Sequence, residues 1–226
     1  MNNQDLSRLN VDGVICISLI DRQDRRDLIS HQFKHSGLNI EFMLATADTD
    51  NPERGCFDSH IKCARLALER GYRAVLILED DATLLTFSQR KVTQINNFMR
   101  SRNPDLIYLG ATLGKVWLTW QPGIARYRAK GAFAYVLTAH GCKKMLQHAP
   151  FSGLAIDQIF SKRFKAYGVF PMLCQHQPES LAKSNILHYR SKDGTAPGVD
   201  FWQQNWRRQF YQVFMNFGKT LIRRDL

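Results

Sequence analysis

Residues 74–85 read AVLILEDDATLL, an apolar run that ends in three carboxylates. Val75, Leu76, Ile77 and Leu78 in succession predict a strand buried on both faces, as in the interior of a parallel sheet. Glu79, Asp80 and Asp81 then stand where that strand leaves the core. Three adjacent negative charges at a buried strand end are costly unless a cation or a hydrogen-bonded network compensates them. The alternative is a solvated turn whose acids cap the next helix.

The sequence on either side alternates in the same way. Upstream, VDGVICISLI is a valine- and isoleucine-rich run that predicts a first buried strand. It leads into DRQDRRDLISHQFKHSG, with helical spacing through Leu28, Ile29 and Phe33 and a glycine stop at Gly37. NIEFMLATAD predicts a second strand. DSHIKCARLALERG predicts a helix through Ile61, Ala64 and Leu68, closed by Gly71. Downstream, SQRKVTQINNFMRSRN predicts a helix, PDLIYLGA a strand and GAFAYVLT another. AHGCKKMLQHA and AIDQIFSKRFKAYG predict helices, and VFPMLC a final strand. The aromatic, basic segment from Thr112 to Lys130 takes no assignment. Strands alternating with helices predict an α/β fold with a mostly parallel central sheet flanked by helices.

The chain has 226 residues, 44% of them hydrophobic, and a formal net charge of +11. This is a globular composition whose charge favours an anionic partner: nucleic acid, a nucleotide or sugar phosphate, or an anionic membrane surface. Cys16, Cys56, Cys63, Cys142 and Cys174 are scattered without a CxxC pair, which predicts reduced thiols and a reducing compartment. The polar start MNNQDLSRLN has no apolar signal region, and no run approaches the roughly 20 residues of a membrane span. The expected location is cytoplasmic, with a peripheral place on the membrane's inner face as an extension.

Chemistry is expected where strands end, since open α/β sheets bind ligands beyond the carboxyl ends of their strands. Adjacent carboxylates there can hold a hard divalent cation that bridges to a diphosphate. The first strand runs into Asp21-Arg22-Gln23-Asp24-Arg25-Arg26, whose arginines beside helix N–H groups suit a phosphate; the plainer alternative is a solvated helix start. In Gly55-Cys56-Phe57-Asp58-Ser59-His60, Asp58 or Ser59 reads as an N-cap, while His60 can project toward a ligand. Spacing makes no metal site of Cys56 or His60, because no second Cys/His cluster is near. On its own, Asp157 in AIDQIF reads as a helix cap before it reads as a base.

Taken together, GCFDSHIKCARLALERGYRAVLILEDD resembles the centre of glycosyltransferase family 25, the lipooligosaccharide biosynthesis galactosyltransferases. A G-C-x-x-S-H helix start followed about twenty residues later by an E-D-D strand end is the shared pattern. The resemblance extends to ISLIDRQDRR upstream and to GAFAYVLTAHGCKKML and AIDQIF downstream, roughly residues 12 to 175. It implies a GT-A-like nucleotide-sugar-binding fold, Mn²⁺ or Mg²⁺, and a UDP-hexose donor, galactose before glucose, transferred with inversion. It further implies a lipid-linked oligosaccharide acceptor. Asp81 would be the direct metal ligand, with Glu79 beside the metal or the ribose. Ser18, Arg22, Arg25, Arg26, His60, Glu79 and Asp80 would contact the donor, and Asp157 would be the catalytic base. Ser184-Asn185-Ile186 departs from an S-D-I of the family.

Two other function classes compete. A sugar nucleotidyltransferase would open its first strand on a glycine-rich phosphate loop, which ISLIDRQDRR lacks. A basic nucleic-acid-binding module explains the charge but not carboxylates that would repel phosphate; no nucleic-acid partner is expected. Beyond a catalytic domain at residues 1–200, the tail 201–226 places Trp202, Trp206, Phe210, Phe214, Phe217 and Leu221 on one helical face. Arg207, Arg208, Lys219, Arg223 and Arg224 accompany them against Asp225. Such a helix suits either core packing or an anionic membrane surface.

Overall fold

The structure, a computed structural model, describes residues 4–112, 114–177 and 200–222, with the backbone alone for 200–203. Its centre is an eight-stranded sheet of order β2-β1-β3-β8-β5-β9-β7-β6. These strands are β1 (Gly13–Leu19), β2 (Ile40–Ala45), β3 (Ala74–Glu79), β5 (Leu106–Thr112), β6 (Lys115–Leu118), β7 (Ile124–Arg128), β8 (Gly131–Thr138) and β9 (Ala166–Val169). β1 pairs in parallel with β2 and β3, and β5 with β9, while β8 runs antiparallel between β3 and β5. All but β7 and β8 point the same way, so the expected α/β architecture with a mostly parallel sheet is what forms.

The predicted strand at 74–79 is the hub. Ala74 to Leu78 are all buried, and their side chains alternate between the two faces. Val75 and Ile77 join the core beneath α2 (Pro52–Glu69), α4 (Ala139–Leu146) and α5 (Ile156–Arg163). Leu76 and Leu78 join the one beneath α1 (Gln23–Gln32) and α3 (Arg90–Arg102). Burying four such aliphatic side chains contributes about 1.5–3 kcal/mol each, which is why this run is a strand between two helical layers.

Three local expectations change. The α2 helix starts at Pro52, not Asp58: Asn51 is the N-cap and accepts from the Arg54 N–H at 3.1 Å. Ser59 therefore lies inside the helix, donating to the Gly55 carbonyl at 2.8 Å. Most of the unassigned segment Thr112 to Lys130 is the β6–β7 hairpin, in register from Lys115↔Arg128 to Leu118↔Ala125. The last predicted strand is displaced. Ala166–Val169 enters the sheet as β9, and Pro171, lacking an N–H, lies beyond its end.

A separate two-stranded ribbon pairs β4 (Ala82–Leu84) with β10 (Cys174–His176). Its register sets His176 opposite Ala82, the residue after the acidic triplet. Beyond it, α6 (Asp200–Met215) and α7 (Phe217–Ile222) lie against β6. Two buried amides hold α6 there. Asn205 donates to the Ala111 carbonyl at 2.9 Å, and Gln209 accepts from the Met172 N–H at 2.9 Å. Ser184 to Ile186 and Arg223 to Asp225 lie outside the described residues.

Candidate active site

β1, β2 and β3 end side by side, and a cavity of about 300 Å³ opens at their carboxyl ends. That is the lower end of the range for small-molecule sites. Arg22, Arg25, His60, Glu79, Asp80 and Asp81 reach it, with Ser18 from the end of β1. Of the nine residues expected to contact the donor or the metal or to act as base, Arg26 and Asp157 are absent from its lining.

Arg25 stands on the first turn of α1, immediately after β1, and so faces the end of the neighbouring β3. Its Nη1 donates to Asp80 Oδ1 at 2.7 Å and lies 3.4 Å from Asp81 Oδ2. Arg26 turns the other way. Its guanidinium donates to the carbonyls of Leu19 and Ile20 and to Gln23 Oε1, closing the β1–α1 turn. Arg22 forms an ion pair with Asp24 at 2.8 Å on the cavity rim.

The acidic triplet divides by environment. Asp80 and Asp81 are buried, whereas Glu79 is half-buried and faces the cavity. Asp81 Oδ2 accepts from His176 Nε2 at 2.9 Å, while His176 Nδ1 donates to the Gln177 carbonyl at 2.8 Å. Burial pushes the Asp81 carboxyl up, but His176 and then Arg25 outweigh it and bring it down to about 2. Burial likewise pushes His176 down, and Asp81 outweighs it, taking the imidazole up to about 9. The two shifts agree on an ionised pair. Asp80 goes the other way: burial and the adjacent Asp81 raise its carboxyl, against Arg25.

His176 had no sequence signal, because its place depends on the β4–β10 register and not on local spacing. Tyr135, deep in β8, was hidden for the same reason; its hydroxyl lies 2.8 Å from His60 Nδ1. The other ring nitrogen of His60 lies 3.3 Å from Glu79 Oε1. Cys56, which spacing alone left outside any metal site, has its sulfur grouped with His60 and Glu79.

For a hard cation the oxygens available are those of Glu79 and Asp81. Asp81 Oδ1 is buried and accepts no hydrogen bond among the described residues, an unsatisfied acceptor that a cation would fill. Carboxylate oxygen is the donor type that Mn²⁺ or Mg²⁺ takes. Asp157 stands on the first turn of α5 and accepts from the Gln158 N–H at 2.9 Å. Its charge acts on the Cys56 thiol of the cavity wall and on Tyr108.

Residues 12–119 match the model of "Glycosyltransferase family 25 (LPS biosynthesis protein)". A "Glycosyltransferase 25 family member" of Aedes aegypti is 26% identical over 180 residues, covering 65% of this chain and 30% of the relative. Its counterpart in Anopheles gambiae is 27% identical over 194 residues, covering 67% and 33%. The chain spans about a third of the length of these relatives. A glycosyltransferase involved in the glycosylation of the major capsid of PBCV-1 superposes with a TM-score of 0.37 at 10% identity, over 67% of this chain and 75% of that one. Over residues 12–119, and through both relatives, this chain is similar to glycosyltransferase family 25.

Proposed function

We propose that the chain transfers a hexose, galactose before glucose, from a UDP-sugar to a hydroxyl of a lipopolysaccharide or lipooligosaccharide saccharide. The observation that carries this is the cavity at the carboxyl ends of three parallel strands, with arginines and carboxylates together in its lining. Arg22 and Arg25 suit the donor diphosphate, since a guanidinium fork matches phosphate oxygens. Glu79 and Asp81 would hold Mn²⁺ or Mg²⁺, which supplies charge neutralisation for the departing diphosphate. Asp80 and His176 position the site, through Arg25 and Asp81 respectively.

In this scheme Asp157 accepts the proton of the acceptor hydroxyl as its oxygen attacks the anomeric carbon. The bond from that carbon to the diphosphate oxygen breaks, and UDP leaves with the electron pair. Support for Asp157 comes from its place on α5, which packs against α2 and β8 beside the cavity. Replacing Asp157 by Ala is expected to lower transfer by about 10²–10⁴-fold, the usual worth of a general base, while UDP affinity stays within twofold. Loss of UDP affinity together with transfer would assign Asp157 to donor binding or to the fold instead.

The same proposal extends to a membrane-bound acceptor. Trp120, Phe214, Phe217, Leu221 and Ile222 are each more than half exposed, and the Trp120 indole N–H donates to the Thr220 carbonyl of α7 at 3.3 Å. Trp120 and α7 thus form one apolar patch. Arg207, Arg208 and Lys115 are exposed on α6 and β6, a combination that suits rings at headgroup depth beside anionic lipid.

A further inference from the structure

The α2 wall of the cavity carries a donor set unlike the carboxylates at the strand end. Cys56 and His60 are four residues apart on one helix, and therefore on one face of it. The Cys56 sulfur, a His60 ring nitrogen and a Glu79 carboxylate oxygen all lie within 4.8 Å of one another. We propose that these three side chains form a binding position for a borderline-soft divalent cation of the Zn²⁺ class.

The His60 ring is fully buried and fixed at its far side by the Tyr135 hydroxyl. With Nδ1–H donating to Tyr135, Nε2 offers its lone pair on the Glu79 side. A partner on the second ring nitrogen is how proteins orient a ligating histidine. Ligand atoms around tetrahedral zinc sit about 3.3–3.8 Å apart, given bonds of about 2.0–2.3 Å, so closure asks for a movement of about 1 Å. Three protein ligands with a face open to a cavity are the form of zinc sites that retain an exchangeable position. Sulfur and imidazole nitrogen select against Mg²⁺, which prefers oxygen.

Without a cation the Cys56 thiol stays protonated: burial, and then the charges of Glu79, Asp157 and Asp81, push it well up. Binding therefore releases the thiol proton to solvent as the sulfur–metal bond forms. Glu79 also belongs to the oxygen set proposed for Mn²⁺ or Mg²⁺, so zinc at this position withdraws it from the hard cation. That last consequence rests on the proposed transfer reaction; the site itself does not.

The test is Co²⁺ titration of the full, metal-free chain, followed by the thiolate-to-cobalt charge-transfer absorption. One equivalent should develop the band, and Zn²⁺ should bleach it. Cys56→Ser should abolish the band with its metal-free melting temperature unchanged. Tyr135→Phe should weaken Zn²⁺ binding by about 10–100-fold, the usual effect of removing an orienting partner. No band in the wild type, or a band that survives Cys56→Ser, would overturn the proposal. UDP binding measured on the same samples keeps the two ideas apart. Donor binding without a cobalt band sinks only the zinc position, and a cobalt band without donor binding sinks only the transferase proposal.

Discussion

At the scale of single residues, the three carboxylates of the β3 end are compensated first by the protein itself. Arg25 and His176 supply two positive charges to Asp80 and Asp81, at 2.7 and 2.9 Å. Of the three, Glu79 alone is partly exposed at the cavity, its side chain 28% accessible. Asp81 is thus tied into the fold as well as placed for a cation, and replacing it cannot be neutral. Asp81→Asn is expected to lower the unfolding free energy of the metal-free protein by about 2–4 kcal/mol in urea titrations. That is less than the full cost of orphaning a buried charge, because Arg25 keeps Asp80 and His176 can release its proton. An unchanged midpoint and slope would show that the pair does not form. The carboxylates were legible in the sequence because a four-residue aliphatic run must end somewhere, and charge at that point is conspicuous. His176 was not, since its only cue is a strand register set far away in the chain.

At the scale of elements, the same contrast runs through the helices and strands. β1, β2, β3, β5, β8, α3 and α4 follow from hydrophobic period and stop signals, because each buries its apolar pattern against the layers beside it. α2 begins a turn and a half earlier than its apolar period suggests, since Asn51 and Pro52 start it through backbone chemistry and not burial. The aromatic stripe of the tail is divided in the structure. Trp206 packs against the core and Phe210 meets Phe170 edge to face, with ring centroids 5.5 Å apart, while Phe214, Phe217 and Leu221 face outward. What anchors α6 is Asn205 and Gln209, polar residues that no hydrophobic pattern would select. Cutting the chain near Asp200 would therefore expose core, so exposed point changes are the sounder probe of membrane binding. The triple variant Phe214→Glu, Phe217→Glu, Ile222→Glu should lose most co-sedimentation with anionic vesicles at low salt while melting as the wild type does. Equal sedimentation of the two proteins would refute the patch as a membrane surface, as would failure of the wild type to sediment.

For the whole molecule, topology does the assembling. Three parallel strands end on one edge, the α1 and α2 helices deliver Arg25 and His60 to it, and the β4–β10 ribbon folds His176 over the acidic turn. Among the described residues no helix is long and apolar enough to cross a membrane. A net charge of +11 fits an anionic donor and an anionic surface alike. Fold class and the likeness to family 25 were legible because they rest on strand–helix alternation and on one spaced motif. The pairing of His60 with Tyr135 and the convergence of Cys56 on Glu79 depend on how layers stack, and became visible only in three dimensions. The central claim is that the cavity binds a nucleotide sugar. It is tested most directly by saturation-transfer NMR of the full chain against a panel of nucleotide sugars, with and without Mn²⁺. Saturation of the uridine and hexose protons of UDP-galactose or UDP-glucose, strengthened by Mn²⁺ and reduced about tenfold or more in affinity by Arg25→Met, is the predicted result. A folded chain that transfers saturation to no UDP-sugar under either condition would contradict it.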